Sequence, residues 1–278
     1  MRALTLPPED AVEHFNKCVN TTRNEDLLNR LRLCEEIIRD SDLSYREAGN
    51  KRDWCSLSKP ENAPATDAEL TGLYNRTMIP LTSPGRTLYN RLRHSVRDGL
   101  CPFCGQRVVS TLDHYLPKDG FPHLSIMPIN LVPSCADCNK EKLSHVPEQR
   151  NQQLFHPYFD RLPREKWLNA LIEYSDAGPI VLFEAQPPSS WDALLASRVV
   201  NHFEQLKLGS LYSIHGTAEI PGIRARLQKL LDTNGPTGVK EHLEEEWRTR
   251  ASDNPNSWQA ATYEALARDS TFYGGSFG

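Results

Sequence analysis

Two C-x-x-C pairs, Cys101-Pro-Phe-Cys104 and Cys135-Ala-Asp-Cys138, constrain this chain more than any other feature. A two-residue gap lets both sulfurs of one tight turn face a single metal ion, and Gly105 after the first pair permits close backbone approach. Two such pairs about thirty residues apart have the spacing of a four-cysteine zinc site. A redox C-x-x-C would need a βαβ setting, which the flanking sequence does not offer, and would leave the second pair unexplained. The chain holds seven cysteines. An odd, sparse set excludes a small secreted disulfide scaffold and points to a reduced, cytoplasmic compartment. Cys18, Cys34 and Cys55 follow no pairing pattern and read as buried thiols.

The chain has 278 residues, enough for one large or two modest domains with a real core. Its net charge is −4, which excludes a uniformly basic nucleic-acid coat. The charge is uneven: from Arg86 to Arg150 nine basic residues face six acidic ones. This mildly basic stretch coincides with the cysteine pairs. The longest apolar run, around Pro179 to Phe183, falls far short of the ~18 residues of a membrane helix. The opening MRALTLPPED lacks the apolar core of a signal peptide, so neither membrane nor leader is expected.

The patterning predicts an α+β fold that is mostly α-helical. Residues 1–98 read as a helical region, 99–160 as a cysteine-bearing module with β structure, and 161–278 as a second helical region. Val12, Phe15 and Cys18, then Leu27, Leu28, Leu31, Ile37 and Ile38, recur at helical spacing over residues 11–39. Most of 41–65, with Lys59-Pro60 and Ala63-Pro64, reads as loop. Thr66-Asp-Ala-Glu69 is a capping box ahead of Leu70, Leu73 and Tyr74. Another helix is expected over 86–98. Beyond the module, helices are expected over 163–173, 190–208, 223–231, 239–250 and 258–268, with a strand over 179–184. The aromatic tail from Phe272 to Phe277 reads as a docking segment or a frayed end.

Between the cysteine pairs, Val108, Val109, Leu112 and Tyr115 mark an extended, β-branched stretch. Asp113 and His114 are adjacent on it. Strand neighbours point to opposite faces, so both serve one site only if the backbone bends nearby. Asn130 follows in PINLVP, and Asn139 stands just after the second pair in CADCNKEK, where a short helix is expected to begin.

The pattern CPFCG…LDHYLP…NLVPSCADCNKEK resembles the HNH endonucleases, the ββα-metal or His-Me finger nucleases, in the subtype stapled by four cysteines. The resemblance covers 100–145. It implies a central ββα-metal module with structural Zn2+ on Cys101, Cys104, Cys135 and Cys138. Asp113 matches the acidic ligand of a catalytic divalent ion and His114 the general base. Asn130 matches the middle asparagine that holds the loop and orients the base. Asn139 matches the last motif position, where histidine is common. Asparagine there favours an oxygen-liking ion, Mg2+ or Mn2+. Lys118 and Lys142 occupy positions suited to phosphate contact. His156, in FHPYFD, is either a further site residue or a buried histidine among Tyr158 and Phe159. His123 and His145 read as surface residues.

These residue types suit phosphodiester hydrolysis: a neutral imidazole takes a proton from water while a divalent ion stabilises charge on phosphate. The expected partner is DNA, with RNA open. The layout also resembles, more loosely, HNH effector subunits of bacterial anti-phage systems of the Septu type, which act beside an ATPase. Those carry Glu-His where this chain has Asp113-His114. No Walker motif is present, so an ATPase partner would be a separate chain. A stand-alone restriction-like nuclease and a catalytically silent zinc-stapled binding module are the alternatives, although Asp113, His114 and Asn139 are all intact.

Overall fold

The computed structural model describes residues 1–142 and 146–278. His145 therefore lies outside the described residues. The fold is α+β and mostly helical. It divides into two compact units, Met1–Arg161 and Leu162–Gly278. The first unit holds both the N-terminal helices and the cysteine region.

Unit 1 begins with α1 (Ala11–Val19), whose N-terminus is capped by the Asp10 side chain. Asn24 caps α2 (Glu25–Arg32) in the same way, each satisfying a backbone N–H that the helix leaves unpaired. Next comes α3 (Glu35–Lys51). The 41–65 segment is thus not mostly loop: α3 continues to Lys51. Tyr45, Ala48 and Gly49 are its buried face, and the pairs Asp42–Arg46 and Glu47–Lys51 brace the exposed face at i,i+4. Glycine at 49 leaves the space that the Phe159 ring fills. The sequence shows few apolar pairs here because one aromatic and two small residues do the packing.

The capping box of Thr66 and Glu69 starts α4 (Asp67–Thr77), and α5 (Arg86–Arg93) follows. Strands β1 (Thr111–His114) and β2 (Leu131–Ser134) pair antiparallel, with Asp113 opposite Val132 and His114 opposite Leu131. Helix α6 (Ala136–Lys142) leaves the end of β2. Both α5 and α6 pack on β1. The long connection between the strands carries two short 3-10 turns, Pro122–Leu124 and Pro128–Asn130. The first of these packs against α3 and α4, which buries His123 to 6% exposure. His123 is therefore not a surface residue.

In unit 2, β3 (Leu168–Ser175) and β4 (Gly178–Ala185) form a hairpin. The helix expected over 163–173 is thus a strand. Trp167, Leu168, Leu171 and Ile172 imitate helical spacing, but Leu168, Ala170 and Ile172 also alternate, and the hairpin partner decides for the period of two. Asp192 caps α7 (Ala193–Gln205). The two helices expected over 223–231 and 239–250 lie in one long element, α8 (Leu208–Asp253), which Gly235 breaks at φ 65°, ψ −170°. Then come α9 (Trp258–Arg268) and α10 (Ser270–Tyr273). Ile220, Leu227, Val239, Leu243 and Leu266 gather into one core with Phe272 and Phe277, so the aromatic tail is docked. No described helix is long and apolar enough to cross a membrane.

Candidate functional site

The four expected metal ligands converge. The sulfurs of Cys101, Cys104, Cys135 and Cys138 all lie within 4.8 Å of one another, and each residue is at most 2% exposed. A tetrahedral zinc with Zn–S bonds of about 2.3 Å would fit among sulfurs at this separation. Both pairs sit on tight turns. Gly105 adopts φ 67°, and its N–H donates to the Cys101 carbonyl at 2.7 Å. The Arg107 N–H donates to Cys104 Sγ at 3.4 Å and the Cys138 N–H to Cys135 Sγ at 3.3 Å. Such N–H···S contacts orient thiolates and disperse their charge. The cluster offers the donors, size and burial of a structural zinc site.

The cysteine pairs tie the turn at Cys101–Cys104 to the end of β2 and the start of α6. Asp113 is 3% exposed. Its Oδ1 accepts from the Lys142 ammonium at 3.3 Å. Its Oδ2 lies 3.2 Å from the same ammonium, outside hydrogen-bonding geometry, and is a buried oxygen with no hydrogen-bond partner. Burial pushes the Asp113 carboxyl up to about 6, against the pull of Lys142. Lys142 also donates to the His114 carbonyl at 2.6 Å. It is 4% exposed, so its ammonium is engaged inside the module and is not presented to a phosphate at the surface. Asn139 stands one turn before Lys142, on the same face of α6.

His114 is turned by a backbone group. Its Nε2 lies 2.8 Å from the Ser125 carbonyl, which can only accept. Nε2 therefore carries the proton, and Nδ1 is left with its lone pair. Burial lowers the imidazole to about 4, with the Ser125 carbonyl opposing and Lys118 and Lys142 contributing. The ring packs edge-on against Tyr74 at 4.6 Å. Lys118 is partly exposed, with its ammonium 5.5 Å above the same Tyr74 ring.

Asn130 is fully buried and grips the connection between the strands. Its Oδ1 accepts from the Leu116 N–H at 2.8 Å, and its Nδ2 donates to the carbonyls of Leu116 at 3.0 Å and Leu124 at 3.2 Å. His156 is 0% exposed, stacked on Trp54 at 4.8 Å and close to Tyr115 at 4.1 Å. It reaches Asn130 through the Tyr45 hydroxyl.

Sequence reasoning missed Tyr45, Tyr74 and Ser125. Tyr74 carried a weak signal, as an aromatic at core spacing after a capping box. Ser125 acts through its carbonyl, which every residue type possesses. Tyr45 sat in a segment read as loop.

No family model matches the chain, and no solved structure matches it. The chain is similar to "Protein ea31" of Escherichia phage lambda, at 30% identity over 224 residues, covering 76% of this chain and 75% of that protein.

Proposed function

The chain belongs to the family of protein ea31 of Escherichia phage lambda, and for this member we propose a metal-dependent HNH endonuclease that hydrolyses DNA phosphodiester bonds. The observation that carries this reading is the fixed tautomer of His114 beside a buried carboxylate. The Ser125 carbonyl holds the proton on Nε2 and leaves Nδ1 basic. Burial keeps the imidazole neutral, the form a general base must start from, and in this reading Nδ1 accepts the proton of the attacking water. As the ring gains that proton, the carbonyl at Nε2 stabilises the imidazolium.

Asp113 Oδ2 is buried without a hydrogen-bond partner, with only the Lys142 ammonium nearby, and in this reading it is the oxygen offered to a divalent ion. Asp113 and the Asn139 amide oxygen would then make an oxygen-only donor set, which suits Mg2+ or Mn2+. When bound, such an ion supplies charge stabilisation to the scissile phosphate and the leaving oxygen. A zinc held by Cys101, Cys104, Cys135 and Cys138 would have no open position and would serve only to hold the fold in place. In this reading Lys118, partly exposed over the Tyr74 ring, is the cation that contacts phosphate. The defence role beside a partner ATPase rests on the looser resemblance of layout, and recovery of a stoichiometric ATPase from the native host tests it.

The decisive experiment is nicking of supercoiled plasmid by the full chain with Mg2+ or Mn2+, beside Asp113→Asn and a single-stranded RNA. Metal-dependent nicking that Asp113→Asn abolishes supports the reading. Cleavage of RNA alone would reassign the substrate, and inactivity on both would favour the silent binding module.

A further inference from the structure

Tyr45, on α3, bridges two buried polar groups. Its hydroxyl lies 3.0 Å from Asn130 Oδ1 and 3.0 Å from His156 Nε2. Backbone groups at both ends fix every proton along this line. At one end, the Leu116 N–H must donate, so the atom facing it is Asn130 Oδ1, while the Leu116 and Leu124 carbonyls must accept, so the atom facing them is Nδ2. The carboxamide thus has one permitted orientation. Oδ1 can only accept, so the Tyr45 proton points to it. At the other end, the Tyr158 N–H donates to His156 Nδ1 at 3.2 Å, so that nitrogen carries no proton. His156 Nε2 is then the protonated nitrogen, and it donates to the Tyr45 oxygen.

We propose that the directed chain His156 Nε2–H to Tyr45 O–H to Asn130 Oδ1 is a positioning relay for the site. Neither Tyr45 nor His156 touches the reacting atoms. Asn130 holds Leu124, the neighbour of Ser125, and the Ser125 carbonyl selects the His114 tautomer. Losing the Tyr45 proton removes one of the four hydrogen bonds on the Asn130 carboxamide, so its three backbone bonds loosen, the 116–125 connection slackens and the aim of His114 Nδ1 is blurred. The relay also gives α3 a purpose within the site, since its buried face delivers Tyr45. Burial holds the Tyr45 phenol well above its ordinary range, so the hydroxyl keeps its proton. Its flanks are closed by Trp54, 4.7 Å from the Tyr45 ring, and Phe159, at 6.2 Å. This inference rests on the nuclease reading for its consequence, but not for its geometry.

The test is Tyr45→Phe in the full chain, which removes one hydroxyl and keeps the ring. Zinc content and melting temperature serve as controls. The expected result is about tenfold faster exchange of the Leu116 amide, the scale of one weakened hydrogen bond, with amides of β1 and the cysteine turns unchanged. Single-turnover DNA cleavage should fall about tenfold at unchanged DNA affinity. In the wild-type chain, long-range 15N–1H spectra should show His156 protonated on Nε2. Unchanged Leu116 exchange, or a proton on His156 Nδ1, overturns the relay. Faster exchange with an unaltered cleavage rate overturns its positioning role. A wild-type chain that cuts no nucleic acid sinks the nuclease reading, and the exchange and tautomer measurements still decide the relay.

Discussion

His114 and Ser125 are joined by one hydrogen bond, 2.8 Å from Nε2 to a main-chain carbonyl, and that bond determines which nitrogen of His114 is basic. His114→Ala removes the basic Nδ1 together with the ring's contact with Tyr74 and its hydrogen bond to the Ser125 carbonyl. Cleavage should fall at least ~100-fold, the usual scale for a positioned proton acceptor. Zinc content should stay at the wild-type level, since the four cysteines are untouched. Cleavage at the normal rate would show that the base lies elsewhere.

The four-cysteine cluster makes a separate prediction. Purified protein should carry one zinc per chain by elemental analysis, regardless of added Mg2+. Cys135→Ser breaks a set whose sulfurs all lie within 4.8 Å of one another. Structural zinc contributes folding free energy directly, so this variant should lose the metal and unfold the region around β1, β2 and α6 rather than merely slow the reaction. Folded, active wild-type protein free of zinc would refute the assignment.

The four-cysteine cluster could be read from residue types because its ligands are side chains at fixed spacing, and the expected Asp113 and His114 do end β1 side by side. Asn130 was readable for the same reason, and its carboxamide does hold the loop. The layer behind them was not readable. Tyr45 lies 85 residues from Asn130 in sequence, and nothing local marks it as a neighbour. Lys142 resembles any solvated lysine until α6 packs on β1 and buries it beside Asp113. The β3 strand failed for a different reason: its apolar residues satisfy two periods at once, and only pairing with β4 separates them.

Unit 1 should lose stability steeply in mild acid. Burial holds His14 and His123 at about 4, against an ordinary value near 6.5. Each native pKa is depressed, so each histidine's contribution is complete above about pH 6.5 and fades as pH falls toward 4, because the unfolded chain takes up protons that the native state refuses. His114 adds a third proton of the same sense, and Asp113, raised to about 6, offsets it by binding one in the native state. The histidines outweigh Asp113, so stability should fall as pH drops from roughly 6 to 4.5. Urea unfolding at stepped pH measures this, and His123→Gln should make the slope visibly shallower. A flat profile would mean these histidines are open to solvent.

Two glycines of α8 should respond to alanine with opposite signs. Gly235 holds φ 65°, ψ −170°, a conformation essentially reserved for glycine, and it turns the chain so that Leu227 before the break and Val239 and Leu243 after it enter one core. Gly235→Ala should cost about 1–3 kcal/mol, because a Cβ cannot adopt that geometry without strain and straightening the helix would pull one half from the core. Gly222 lies in regular, exposed helix, and a Cβ there meets nothing within 4 Å. Gly222→Ala should therefore stabilise by about 0.5–1 kcal/mol by reducing the freedom of the unfolded chain. Chemical unfolding followed through Trp247, which packs against this core, reads both variants. If Gly235→Ala proves neutral, the break is not needed to bring the two halves of α8 into one core.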